Sequence, residues 1–130
     1  MSEVLKPEVL RSEVLRQLAE TIETRKTADP GTSYVASLHA RGLNKILEKV
    51  GEEAVETIIA AKDANDADSR SALIGEVADL WFHTLVMLSH LELGPEDVLN
   101  RLAERFNISG LEEKARRNGH NSPPVQSDHD

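Results

Sequence analysis

LNKILEKVGEEAVETIIAAK, residues 43–62, decides the fold. Its apolar residues Leu43, Ile46, Leu47, Val50, Ala54, Ile58 and Ala61 recur at the i, i+3, i+4, i+7 spacing of a buried helical stripe. The same helix carries Glu52, Glu53 and Glu56 within five positions. At about 100° per residue, Val50, Ala54 and Ala61 define one face and Glu53 lies on its shoulder, while Glu56, Lys49, Glu52 and Lys45 crowd one flank. Three carboxylates and two ammonium groups on one edge have two readings. They are a solvated face laced with local Glu to Lys pairs, or they are half of a site.

The next segment separates these readings. NDADS, residues 65–69, is a polar connection that offers caps, and from about Arg70 to Leu91 the chain is dominated by apolar residues without a proline. This predicts a long helix running antiparallel to the first across a short loop. Within its GEVADLWFHTLVML, Glu76, Asp79 and His83 are spaced three and four apart and share one sector. Leu73, Val77, Leu80, Trp81, Thr84, Leu85 and Leu88 cover the far side, with Phe82 and Val86 beside the acids. A helix apolar nearly all round is expected to be buried, with its acids pointing into the protein, where each is costly unless paired or metal-bound.

Shorter elements surround this pair. Pro7 suits a first helical turn, and Val9, Leu10, Val14, Leu15, Leu18 and Ile22 follow at helical spacing to about Arg25. TADPGT, residues 27–32, is a turn by composition, SYVASLHA predicts a short helix to Arg41, and Gly42 marks a break. GPEDVLNRLAERF starts a last helix, with Pro95 near its first position and two acids in its first turn. The polar tail, 118–130, is expected to be disordered, leaving 1–117 as one helical domain. The fold class is therefore all-α, an antiparallel helical bundle, as suits a chain of 130 residues with 39% hydrophobic but only 3% aromatic residues.

Composition also excludes functions. The absence of cysteine removes disulfides, thiolate zinc sites and cysteine nucleophiles. A net charge of −8 argues against general nucleic-acid binding. The N-terminal residues lack a secretory pattern, and the run LWFHTLVMLSHL, broken by polar residues, falls short of the roughly 20 residues that span a bilayer. A cytoplasmic protein without a membrane partner is expected.

Antiparallel neighbours would bring Glu53 and Glu56 opposite Glu76 and Asp79. Four or five facing carboxylates repel unless a hard divalent cation sits among them, which suits magnesium or manganese and has too few nitrogen or sulfur donors for zinc. His83 could bind substrate, serve as a base or be a core histidine satisfied by an acceptor. Lys45 and Lys49 could meet phosphates or pair with nearby glutamates.

The motif Glu53-x-x-Glu56 followed by Glu76-x-x-Asp79 resembles the all-α nucleotide pyrophosphohydrolases, which include MazG-type enzymes and dimeric dUTPases. SYVASLHARGLNKILEKVGEEAVETIIAAK with EVADLWFHTLVML resembles more narrowly the phosphoribosyl-ATP pyrophosphatases of histidine biosynthesis, from roughly Val9 to Arg117. The resemblance implies magnesium-dependent cleavage of phosphoribosyl-ATP to phosphoribosyl-AMP and pyrophosphate, and a homodimer whose helices complete a four-helix core. It suggests Glu53, Glu56, Glu76 and Asp79 as metal ligands, with Glu52 as a further ligand or as the group orienting water. Ser33 and Tyr34 lie in the family-specific stretch and could contact substrate or serve as cap and packing residues. Two alternatives stay open: a house-cleaning (d)NTP pyrophosphohydrolase with the same metal site, and a helical dimerisation module whose acids only solvate it.

Overall fold

Five helices follow one another in the computed structural model, which describes residues 7–107, with side chains from Glu13 onward: α1 (Pro7–Arg25), α2 (Tyr34–Arg41), α3 (Leu43–Lys62), α4 (Ala67–His90) and α5 (Pro95–Phe106). No strand occurs among the described residues, as the aliphatic composition and helical periodicity require. The expected disordered tail, 118–130, lies outside them, as do the side chains of Val9 and Leu10. The chain divides into two compact units, one ending at Pro95 and one beginning at Glu96.

Local chemistry sets the element ends. Between α1 and α2 the Asp29 carbonyl accepts from the Thr32 and Ser33 N–H groups, both at 3.0 Å, and its carboxylate accepts from Gly31 N–H at 3.1 Å. Ser33 then caps α2, its buried hydroxyl accepting from Ala36 N–H at 3.1 Å. Gly42 joins α2 to α3 with φ 97°, a conformation that strains any L side chain even where space is free, as it is here. Its N–H donates back to the Leu38 carbonyl at 3.1 Å while its own carbonyl accepts from Ile46 N–H at 3.2 Å, so one residue closes one helix and opens the next.

At the loop between α3 and α4 the structure differs from the sequence expectation. The helix begins at Ala67 rather than about Arg70, because Asp66 and Ser69 form a reciprocal capping box in which the Asp66 carboxylate accepts from Ser69 N–H at 2.8 Å and Ser69 Oγ meets Asp66 N–H at 3.1 Å. The earlier start makes α4 24 residues long, with an 18-residue stretch of mean hydropathy 1.3. It is thus long and apolar enough to cross a bilayer, contrary to the expectation from LWFHTLVMLSHL alone. Its acids Glu76 and Asp79 would be expensive in hydrocarbon.

The core of the first unit gathers Ile22 of α1, Val35 and Leu38 of α2, Ile46 of α3, and Leu85 and Val86 of α4, with Leu15, Leu18, Phe82, Met87 and Leu88 packed around them. It therefore sits at the C-terminal half of α4. Polar bonds fasten α1 there: Lys26 Nζ donates to the Ser89 carbonyl at 2.8 Å, and the Ser89 hydroxyl donates to the Glu23 carboxylate at 2.7 Å.

The other half of the α3–α4 hairpin is uncovered. Val55, Ile58 and Ile59 on α3 and Ile74 and Trp81 on α4 are exposed, Ile74 to 70% and Trp81 to 57%. The expectation that α4 is buried all round thus holds only for its last stretch, Phe82 to His90, where every residue is buried or half-buried, and fails at Asp79 and Trp81. In the second unit α5 is amphipathic, with Val98, Leu99, Leu102 and Phe106 recurring along it and Glu96 and Asp97 in its first turn.

Candidate metal and phosphate site

The covered and uncovered halves of the hairpin meet at the acidic residues. Glu53 lies on the shoulder of the α3 stripe and is buried, Glu76 is half-buried, and Asp79 is exposed. One carboxylate oxygen from each lies within 4.8 Å of the others. Glu56, exposed on α3 and outside that trio, joins electrostatically, since its charge helps to raise the pKa of both Glu53 and Glu76. Glu53 beside Asp79 and Glu56 beside Glu76 is the register of an antiparallel pair, so the two ExxE/D spacings face each other as the sequence suggested.

This arrangement is electrostatically unsatisfied. Burial first, and then the charges of Glu56 and Asp79, push the Glu53 carboxyl above its ordinary pKa, against the opposing pull of His83 and Lys49. Burial also raises Glu76, followed by Glu56 and the charges of Glu53 and Asp79. Glu53 Oε1 and Glu76 Oε1 are buried without any hydrogen-bond partner. Buried acceptors are rarely left unpaired, and two orphaned oxygens in a cluster of like charges are what a cation would satisfy. Every donor is an oxygen, which fits a hard divalent ion and not zinc.

The two lysines pair within their own helix. Lys45 lies 3.6 Å from Glu48 and Lys49 lies 3.3 Å from Glu52. The Glu52 bond first, then Tyr34 and Glu53, hold the Lys49 ammonium pKa above its ordinary value. Glu52 is exposed and stands outside the trio of mutually close oxygens.

His83 is buried and both its nitrogens have protein partners: Nδ1 lies 2.8 Å from the Asp79 carbonyl, and Nε2 lies 2.8 Å from the Tyr34 hydroxyl. Tyr34, half exposed, also stacks on Phe82 with centroids 6.1 Å apart. These contacts tie the start of α2 to the edge of the acidic cluster.

Residues 15–106 match the family described as phosphoribosyl-ATP pyrophosphohydrolase. The chain belongs to that family. The match runs from α1 into α5 and contains all four clustered acids. A phosphoribosyl-ATP pyrophosphatase of Hydrogenovibrio crunogenus (strain DSM 25203 / XCL-2) is 55% identical over 108 residues, which are 83% of this chain and 96% of that protein. The resemblance carried by the two acidic motifs is thereby confirmed over most of the chain.

Features of this phosphoribosyl-ATP pyrophosphohydrolase family member that sequence reading passed over are the buried hydroxyl of Thr57 and the His39–His90 pair. Thr57 Oγ1 has no hydrogen-bond partner, and its spacing of four from Glu53 could have flagged it. His39 Nδ1 and His90 Nδ1 are 3.0 Å apart with their rings stacked. No local pattern links those two positions.

Proposed function

We propose that the Glu53, Glu56, Glu76 and Asp79 cluster is where this chain hydrolyses phosphoribosyl-ATP to phosphoribosyl-AMP and pyrophosphate, the second step of histidine biosynthesis. The observation that carries the assignment is the pair of orphaned, buried oxygens on Glu53 and Glu76 inside a cluster of like charges, in a chain of this family. The four acids would hold magnesium, or manganese in its place. Such an ion, when bound, supplies charge neutralisation for phosphoryl oxygens and a lowered pKa for water.

The chain's own residues do the rest. Glu53, buried and pushed toward protonation, is ready to exchange a proton for a cation. Glu52, exposed and next to Glu53 in the sequence, would orient water or accept its proton. Lys49 and Lys45 present point charges for phosphate oxygens, each releasing its intrahelical glutamate to do so. Ser33 fixes the start of α2 through its cap, and Tyr34 and His83, bonded to each other, would contact the substrate.

A homodimer goes with this reading. Val55, Ile58, Ile59, Ile74 and Trp81 are exposed on the same two helices that carry the acids, and a second copy packed on them would bury that surface and complete a four-helix core. A cytoplasmic location also goes with it. The house-cleaning alternative differs only in the nucleotide, because metal ligands do not choose the base.

Glu56→Ala and Asp79→Ala should each abolish magnesium-dependent pyrophosphate release from phosphoribosyl-ATP while the far-ultraviolet circular dichroism stays helical. A fully active variant refutes the site. Faster turnover of canonical or damaged dNTPs than of phosphoribosyl-ATP refutes the substrate.

A further inference from the structure

Among the described residues four buried side-chain polar atoms have no hydrogen-bond partner, and three of them belong to the hairpin that carries the acids: Glu53 Oε1 and Thr57 Oγ1 on α3, and Glu76 Oε1 on α4. The fourth, His39 Nε2, is on α2. Of the three, the carboxylate oxygens are acceptors when ionised, and only the Thr57 hydroxyl has a proton to give.

A threonine within a helix commonly donates that proton to the carbonyl four residues earlier. Thr84 does so to Leu80 at 2.8 Å and Thr24 to Glu20 at 2.9 Å. For Thr57 the corresponding carbonyl is that of Glu53, and the bond is not made. The hydroxyl is thus withheld from the Glu53 backbone while it stands one turn from the Glu53 side chain. Helical side chains lean toward the N-terminus, so a residue at i+4 lies over the turn that carries i, with about 5–6 Å between the Cβ atoms. Thr57 therefore leans over Glu53, the most buried acid of the cluster at 7% exposure. Glu56, its neighbour in sequence, points about 100° away around the helix.

A buried carboxylate that lends one oxygen to a cation leaves the other to be satisfied from behind, and outer partners of this kind hold ligand carboxylates in place. An ammonium group in that position would repel the cation, whereas a hydroxyl donates without charge. Lys49, one turn before Glu53, is in any case 3.3 Å from Glu52. We propose that Thr57 is a positioning residue of the cation site: its hydroxyl donates to the Glu53 carboxylate when the acids hold a divalent cation, which fixes the oxygen facing the ion and tightens its binding. The inference rests on the acidic cluster being a cation site, and it gives a role to a residue outside both acidic motifs.

The test titrates magnesium chloride into the chelator-treated full chain by calorimetry, for the wild type, Thr57→Val and Thr57→Ser. Valine keeps the shape and removes the hydroxyl, and should raise the Kd for magnesium about tenfold or more. Serine keeps the hydroxyl and should restore most of the affinity. In chelator Thr57→Val should melt no lower than the wild type, because it removes a buried hydroxyl that has no partner there. Pyrophosphate release lost by Thr57→Val at limiting magnesium should return when magnesium is raised. A valine variant with the wild-type Kd, a serine variant as weak as valine, a lower melting point in chelator, or a loss that magnesium does not restore overturns the proposal. A wild type that takes up no magnesium overturns the cation site and the role of Thr57 with it. A wild type that binds magnesium through the Thr57 hydroxyl yet leaves phosphoribosyl-ATP intact upholds the proposal and overturns the substrate reading alone.

Discussion

Replacing Glu53 by Gln should stabilise the metal-free protein and remove most of its stabilisation by magnesium, so that the order of stability of wild type and variant reverses when the ion is added. Glu53 is 7% exposed, with Oε1 unpartnered and carboxylate oxygens of Glu76 and Asp79 within 4.8 Å. Two like charges at that separation repel by about 0.9 kcal/mol in water and about 3.5 kcal/mol at an effective dielectric of 20. Exposure of Asp79 places the contact toward the lower end, and the amide of Gln can donate to the oxygens it replaces a charge beside. A gain of about 1–2 kcal/mol, or about 3–8 °C in Tm, is expected at pH 8. Magnesium at 100 times its Kd should then stabilise the wild type by about 2.7 kcal/mol and the variant by far less.

The pH dependence carries the sign. Glu53 has a raised pKa in the folded state, so the folded chain holds its proton more tightly than the unfolded chain does. The wild type loses stability as pH rises from the ordinary glutamate value through the raised one. The variant's advantage should therefore be small near about pH 4.5 and larger at about pH 8. Thermal melts in chelator and in magnesium, at both pH values, check this. A variant less stable than wild type in chelator at pH 8, or a wild type stabilised no more by magnesium than by sodium chloride of equal ionic strength, would refute the reasoning.

Two further outcomes follow from contacts elsewhere. The pKa of His39 is lowered by burial first, then by the charges of His90 and Lys26, with Glu23 opposing, so its contribution to stability is present above about pH 6.5 and fades as pH falls below that value. His39→Gln should flatten the loss of Tm between about pH 7 and pH 5.5, and an unaltered slope would count against the pair. Trp81→Glu, on a residue 57% exposed in the single chain, should change an isolated monomer by no more than about 0.5 kcal/mol. In the proposed homodimer it should shift sedimentation from dimer to monomer, and an unchanged sedimentation coefficient would mean the apolar face is not the contact between copies.

The helices were readable because their signals are local. The stripe from Leu43 to Ala61, the proline at position 7, the turn at residues 27–32 and the break at Gly42 each act within a few residues, and the elements lie where those signals put them. The boundary that moved was the start of α4. Asp66 and Ser69 both lie in the polar segment 65–69, but only their reciprocal bonds fix the first turn at Ala67.

Sequence spacing by itself determined that Glu53 and Glu56 share one edge of a helix and Glu76 and Asp79 one edge of the next, because 3.6 residues per turn leaves no other arrangement. Tertiary structure alone decided which of these acids is buried. The cover provided by α1 and α2 ends partway along the hairpin, so Glu53 loses water, Asp79 keeps it, and Trp81 stands exposed on α4. The contacts of Tyr34 with His83 and of His39 with His90 likewise join positions 49 and 51 residues apart. Desolvation and long-range hydrogen bonding depend on what packs against a helix, and no periodicity within that helix encodes its neighbour.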